Sequence, residues 1–263
     1  MTSGETSDDE ILTVIIPCLN EEASIRSTVE EVYAEEDKLP LTLKVLMCDD
    51  GSTDRTPEIM RALCERYESC EVMTNPQNMG VGATVTKAYN IVTPGSWITV
   101  LPGDGEIVFA SIHNHLAVRG EADLILGYLQ NPVIRTTQRR LGSRAYNMVA
   151  NFLYGFEFRY FNGFKMYKVE TFKDLPSVST GHAITVELIA KAVLRNPGLR
   201  IAEVPFVWRV RHARASHAFK PSAIVTAMQE TLTVYRSVSE YRDQIYREAA
   251  MEDARRDEPR VGG

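Results

Sequence analysis

The sequence predicts an α/β protein: a mostly parallel, Rossmann-like sheet flanked by helices and followed by a long amphipathic helix. Three observations carry that expectation. Apolar runs of strand length alternate with helical stretches through the first half of the chain, the pattern of βαβ units. Acidic, polar or glycine-rich segments follow each of the first four runs, and open α/β sheets bind ligands beyond the ends of their strands. After Pro221, apolar residues recur every three or four positions, the period of a helix face.

Each element has its own signal. Ile11 to Pro17 reads as a buried strand and Glu22 to Glu36 as a helix. Leu41 to Cys48 is a second strand. Thr56 is placed to cap a helix running to about Tyr67, with Pro57 at its first position. Cys70 to Thr74 is a third strand, and Gly80 to Val92 a helix of small residues. Trp97 to Leu101 is a fourth strand, with a helix from Phe109 to Arg119 and a fifth strand from Ala122 to Gly127. The second half predicts a helix from Thr137 to Leu153, a strand around Phe164 to Tyr167, and a helix from His182 to Leu194 ended by Asn196-Pro197-Gly198. Leu199 to Trp208 reads as one or two strands. In the last helix Ile224, Val225, Met228, Leu232, Tyr235, Val238, Tyr241 and Ile245 form one stripe. The expected units are a polar, disordered start over 1–10, a catalytic domain over 11–220, a helix over 221–249 and a disordered tail over 250–263.

Composition narrows the class. A chain of 263 residues buries one substantial core. The start has no secretory signal pattern, and no apolar run reaches membrane-spanning length. Cys18, Cys48, Cys64 and Cys70 lack zinc or redox spacing, so buried free thiols in a cytoplasmic protein are expected. The net charge of −6 conceals two blocks without acids. One holds Arg135, Arg139, Arg140 and Arg144; the other holds Arg209, Arg211, Arg214 and Lys220 with His212 and His217. Basic blocks in an acidic chain suit small anionic ligands, whereas the overall charge argues against nucleic acid.

Four segments carry the chemistry. PCLNEE brings Pro17, Leu19, Asn20 and Glu21; CDDGSTDRT brings Asp49, Asp50 and Asp54; NPQNMGVGA brings Asn78, Gly80 and Gly82. LPGDGEI sets Asp104 between glycines, with Glu106 two residues on, at the end of the fourth apolar run. A carboxylate delivered to a strand end in a tight turn suits a hard cation, and its glycines let a bulky anion approach the backbone. Taken singly, Asn20 and Asp54 are equally readable as helix caps and the glycines as turn formers. His113 and His115, two apart on a predicted helix, diverge and do not suggest a shared metal. Trp97, Trp208 and Tyr89 read as core, and Lys87 as helix surface.

With these motifs in this order, the chain resembles the family 2 glycosyltransferases of GT-A fold, and within them polyprenyl-phosphate sugar synthases of the dolichyl-phosphate mannose synthase type. RRLGSR, NGFKMY, GHAITVE and VPFVWRVR extend the likeness to about residue 220. The resemblance implies transfer of a sugar, with inversion, from a UDP-, GDP- or TDP-sugar to a lipid phosphate. It places the nucleotide on Pro17, Leu19, Asn20, Glu21, Asn78, Gly80 and one of Asp49 and Asp50, with Asp50 preferred for the base. It places magnesium or manganese on Asp104 and Glu106, and the donor diphosphate on Arg211. It gives Glu187 a catalytic position, and gives the acceptor phosphate to Arg139, Arg140, Ser143, Arg144, Ser216 and His217. Three departures stand out. Pro102 occupies the place of the family's first metal-turn aspartate, Arg214-Ala215-Ser216-His217 replaces Gly-Glu-Ser-Lys, and His182-Ala183 replaces Phe-Lys.

A hydroxyl acceptor needs a general base, whereas a phosphate monoester is already anionic. No Glu-Asp pair follows the metal turn, so the residues favour a phosphate acceptor. A soluble hydroxyl acceptor and a silent nucleotide-sugar binding module are the alternatives. Access to a lipid acceptor would call for peripheral contact at the inner face of a membrane, through the last helix.

Overall fold

The computed structural model describes residues 10–131, 137–179, 181, 183–209 and 221–256. Among them are β1 (Ile11–Cys18), β2 (Thr42–Asp49), β3 (Cys70–Thr74), β4 (Trp97–Val100), β5 (Leu124–Leu129), β6 (Lys165–Lys168) and β7 (Ile201–Phe206). They form one sheet in the order β3-β2-β1-β4-β6-β5-β7. Only β6 runs antiparallel to its neighbours. The C-terminal ends of the other six strands therefore share one sheet edge with the segment that enters β6. Ligand-binding loops gather on that edge in this class of sheet.

The core explains the layers. Leu12, Val14, Ile16 and Cys18 of β1 face the layer of α1 (Ile25–Tyr33), α2 (Thr56–Arg66) and α4 (Ile112–Ala117). Ile15 faces the opposite layer, with α3 (Val81–Tyr89), α6 (Val169–Phe172) and α7 (Ile184–Arg195). Alternation of side chains along a strand produces this split, and burial on both faces makes the sequence read as one apolar run. All four cysteines are free, and burial pushes the Cys48 thiol up to about 12.

Helix ends depart from expectation where loops take the backbone. The predicted Glu22–Glu36 helix is shortened to α1 because Glu21 and Glu22 give their N–H groups to Thr56 Oγ1 and Asp54 Oδ2. Thr56 is the first residue of α2 rather than its cap; its N–H donates to Asp54 Oδ1 at 2.9 Å. The Phe109–Arg119 stretch divides into a 3-10 turn, Phe109–Ser111, and the short α4. His115 is buried with its ring nitrogens against the carbonyls of Ser111 and Phe164, while His113 pairs with Glu35. They share no site.

α5 (Thr137–Tyr154) and α8 (Pro221–Arg256) complete the description. α8 continues past residue 249, where a disordered tail is expected. Its packed line is Val234, Val238 and Tyr241 against α7 and its surroundings. Met228, Leu232 and Tyr235, expected on the same stripe, are exposed. The physical reason is a polar seam. Lys191 Nζ donates to Glu187 Oε1 and Ser237 Oγ at 2.7 Å each, and Ser179 Oγ donates to Glu230 Oε1 at 2.6 Å. This seam sets which side of α8 faces inward.

Candidate functional site

The loops after β1 and β2 are joined by reciprocal hydrogen bonds. Asn20, in the left-handed region at φ 55°, donates its N–H to Ser52 Oγ at 2.9 Å and accepts from Thr53 N–H at 2.8 Å. Arg55 N–H donates to Glu22 Oε2 at 3.0 Å. Asn20 and Asp54 thus hold two loops together, whereas the cap positions of the two helices fall on Ser24 and Arg55, so neither residue is the cap that the single-motif reading allows. Pro17 is buried inside β1, whereas Leu19 at 36% exposure is presented at the loop surface. Glu21 Oε2 accepts from Ser24 Oγ at 2.8 Å.

The two aspartates at the end of β2 have different work. Asp49 Oδ1 accepts from Ser52 N–H at 3.0 Å. Asp50 accepts from Met79 N–H, Gly80 N–H and Asn75 Nδ2, each at 2.9 Å. Burial alone would raise the Asp50 carboxyl; the hydrogen bonds from Met79, Asn75, Thr84 and Gly80 outweigh it and hold it below the usual carboxylate range. Both carboxylate oxygens of Asp50 are engaged in shaping the 75–80 loop, whereas Asp49, equally buried, has one oxygen engaged by the turn that follows it. Asn78 Oδ1 also accepts from Gly80 N–H. Gly51, at φ +77°, passes so close to this loop that a Cβ would lie 2.6 Å from the Gln77 carbonyl carbon. Asn75, buried and bonded to Asp50, Thr84 and Lys87, escaped the sequence reading. Its signal was a polar residue directly behind a strand.

The turn after β4 presses onto the end of β1. Gly103 N–H donates to Pro17 O at 3.2 Å, and a Cβ on Gly103 would sit 2.4 Å from Cys18 Sγ. Asp104, half-buried, accepts Glu106 N–H on Oδ1 at 3.0 Å. From the far side Arg209 clamps the turn: Nε donates to Gly105 O at 2.9 Å, its N–H to Glu106 O at 2.7 Å, and its guanidinium pairs with Glu31. Burial pushes the Cys18 thiol well up, and the charges of Glu21, Asp49 and Asp104 add to the effect. Cys18 pairs in register with Asp49, and Gly103, next to Asp104, packs on Cys18, so the acids of these three loops gather at the end of β1. Among the described residues no three metal-ligating side chains form a cage. A cation at Asp104 and Glu106 would have to complete its oxygen shell from diphosphate and water, which suits magnesium and manganese.

Further along the same edge, at the end of β5, lies a cleft of about 180 Å³ lined by Tyr128, Leu129, Arg140, Ser143, Arg144, Asn147, Arg159 and Tyr160. Arg140, Ser143, Arg144 and Asn147 share one face of α5, as their spacing of three and four dictates. Three predicted acceptor residues thus come together, and Arg159 joins them unforeseen. Among the described residues no acid lines the cleft. The neighbouring face of α5 exposes Leu141, Met148 and Phe152 at 68%, 68% and 86%.

Glu187 does not reach this edge as a reactive group. It is fully buried, and its oxygens accept from Val178 N–H, Ser179 N–H, Lys191 Nζ and Ser237 Oγ. A carboxylate closed to solvent and held by four donors positions the α7–α8 junction, so the catalytic assignment is corrected to a structural one. Arg211, Ser216 and His217 lie outside the described residues, as do the Arg139 side chain and His182.

Comparison with known proteins agrees with this geometry. The profile described as Glycosyl transferase family 2 matches residues 13–176. The low-salt glycan biosynthesis hexosyltransferase Agl6 of Haloferax volcanii is 25% identical over 82% of this chain and 52% of its own length. A dolichyl-phosphate hexose transferase of the same organism is 29% identical over 78% of this chain and 85% of its own. The chain thus spans about half of the first relative and most of the second. Among solved structures, glucosyl-3-phosphoglycerate synthase of Mycobacterium tuberculosis with uridine diphosphate superposes at TM-score 0.65 and 17% identity, covering 86% of this chain and 80% of that one. The same enzyme with Mn2+, uridine diphosphate and phosphoglyceric acid gives 0.62, also at 17% identity, over 86% and 78%. The likeness is one of fold, the GT-A arrangement.

Proposed function

The chain belongs to glycosyl transferase family 2, and from that premise we propose that it transfers a sugar from a nucleotide-sugar to a phosphate-bearing acceptor, with inversion. The nucleoside is held by Pro17, Leu19, Glu21 and Asp49, on a frame built by Asn20, Asp50, Asn78 and Gly80. Asp104, assisted by Glu106, holds Mg2+ or Mn2+ against the donor diphosphate. The cation would neutralise charge on the departing nucleoside diphosphate. Arg211 is assigned a diphosphate contact from the sequence motif. The acceptor phosphate sits in the α5 cleft.

The observation that carries this reading is the pairing of two unlike sites on one sheet edge. One is the junction of β1, β2 and β4, where Cys18 pairs with Asp49 and the Asp104 turn packs on Cys18; the other is an arginine cleft at β5 without acids among the described residues. A phosphate oxygen is already charged, so the second site needs cations to orient the nucleophile rather than a base to deprotonate it. Two facts favour a lipid phosphate over a soluble one. The relative from Haloferax volcanii is a dolichyl-phosphate hexose transferase, and α5 exposes apolar residues beside the cleft. No described helix is long and apolar enough to cross a membrane, so the proposal includes peripheral contact through α5 and the exposed side of α8.

The test supplies labelled UDP-, GDP- and TDP-sugars, manganese and a prenyl monophosphate, then extracts with organic solvent. Labelled product in the organic phase is expected from one donor. Label found only on a water-soluble acceptor would replace the lipid with a small molecule, and donor binding without turnover would leave a binding module.

A further inference from the structure

The cleft at the end of β5 has two walls, and only one belongs to α5. The other is the segment that returns from α5 to β6, which contributes Arg159 and Tyr160 to the lining. Three contacts fix Arg159. Its N–H donates to Glu203 Oε1 on β7 at 2.7 Å, its carbonyl accepts from Asn147 Nδ2 on α5, and its guanidinium lies 4.4 Å from the centre of the Tyr128 ring on β5. The backbone is anchored at both ends while the side chain is held by an aromatic face. Stacking on a ring orients a guanidinium and leaves its fork of N–H donors in the plane for another partner. Among the described residues no carboxylate pairs with Arg140, Arg144 or Arg159. Three guanidiniums around one small cleft repel one another until an anion enters.

We propose that Arg159 is a specificity-determining acceptor residue, which completes the phosphate site from the wall opposite α5 and selects a phosphate monoester over a diester. The assignment rests on the phosphate-acceptor reading above. A terminal monoester presents three non-bridging oxygens and up to two charges; a diester presents two oxygens and one charge. Arg140 and Arg144 approach from α5, and Arg159 takes the oxygen turned away from the helix. A lipid phosphate and a small phosphorylated metabolite carry the same group, so Arg159 serves either.

Steady-state kinetics on the full chain test this, with a short prenyl monophosphate and a water-soluble monophosphate as separate acceptor arms. Arg159→Gln should raise the KM of whichever acceptor is turned over by about tenfold to a hundredfold, the range for losing one charge-assisted contact, with a smaller change in the donor KM. Arg159→Lys should recover only part, because a single ammonium does not reproduce a planar fork. Tyr128→Leu keeps the charge but removes its platform, and should raise the acceptor KM by a lesser factor. Inhibition by inorganic phosphate against acceptor should weaken in Arg159→Gln in parallel. If Arg140→Gln raises the acceptor KM and neither Arg159→Gln nor Tyr128→Leu does, the assignment of Arg159 is wrong and the phosphate reading survives. If none of the three changes the acceptor KM of an active enzyme, the phosphate reading itself falls.

Discussion

Gly80 donates its backbone N–H to Asp50 Oδ2 at 2.9 Å, which ties the start of α3 to the end of β2. A second bond from Met79 N–H and a third from Asn75 Nδ2 reach the other oxygen. The glycine-rich loop is therefore shaped by the aspartate before any ligand enters, and preorganisation of this kind lowers the ordering cost of binding.

Asp50→Ala takes the acceptor from Met79 N–H and leaves Gly80 N–H to the Asn78 side chain alone. It should destabilise the protein by about 1–3 kcal/mol and weaken binding of the cognate nucleoside diphosphate. Asp50→Asn should cost less, because one carbonyl oxygen remains to accept. Urea unfolding together with nucleotide titration checks both; a wild-type melt for Asp50→Ala would show the loop to be held by other means.

Asp104→Asn should abolish metal-dependent transfer while leaving the melting temperature close to wild type, since among the described residues Asp104 Oδ1 accepts the local bond from Glu106 N–H and Asn preserves an acceptor there. Glu106→Gln should be milder. Manganese titration of donor turnover separates the two. Full activity in Asp104→Asn, with metal still required, would move the cation elsewhere.

The Glu187–Lys191 pair, 0% and 2% exposed, should behave as scaffold. Removing one partner leaves a buried charge uncompensated and costs about 3–5 kcal/mol. Glu187→Met alone should therefore unfold much of the protein at ambient temperature, while Glu187→Met with Lys191→Met should regain the part due to the unpaired charge and not the part due to Ser179 N–H and Ser237 Oγ, which lose their acceptor. Activity per folded molecule should hardly change in the double variant. Loss of activity in the well-folded double variant would restore a catalytic part for Glu187.

Two buried bases set the pH dependence of stability. Burial lowers His115 to about 4 from its ordinary 6.5, so between those values the unfolded chain holds a proton that the fold excludes. Stability should fall by about 3 kcal/mol as pH drops from 6.5 to 4. Burial likewise lowers Lys165 to about 7 from 10.5, with Nζ donating to Phe161 O and Gly163 O. Stability should rise with pH above 7, until the buried thiols reverse the trend above 9, where unfolded cysteines ionise first. Thermal melts of wild type, His115→Gln and Lys165→Met from pH 4 to 10 check the signs: each variant should flatten its own limb.

Membrane contact is testable by flotation with anionic vesicles. The full chain should float weakly and reversibly, and Leu141→Ser with Phe152→Ser should abolish it without altering the melt, because both side chains are exposed. Equal flotation of wild type and variant would place the contact elsewhere.

The sequence alone determined the strands, their order along the chain and the polar and glycine-rich loops that gather behind them. Each of these depends on neighbours in sequence: apolar runs that must be buried on both faces, and glycines and acids directly behind them. It also marked Arg140, Ser143 and Arg144, since helical spacing puts them on one face. What it left open were matters of pairing across distance. Asp49 and Asp50 are adjacent and chemically identical, and only the approach of the 75–80 loop, 25 or more residues later, engages one of them. Glu187 follows a family motif, but Lys191 and Ser237 enclose it once α8 packs. Arg159 stands among aromatic residues in the chain, outside both basic blocks, and only Tyr128 and Asn147, from two other elements, turn it into a wall of the cleft. Local periodicity is encoded every few residues, whereas burial and hydrogen-bond partnership depend on which segments meet, and only the tertiary structure decides that.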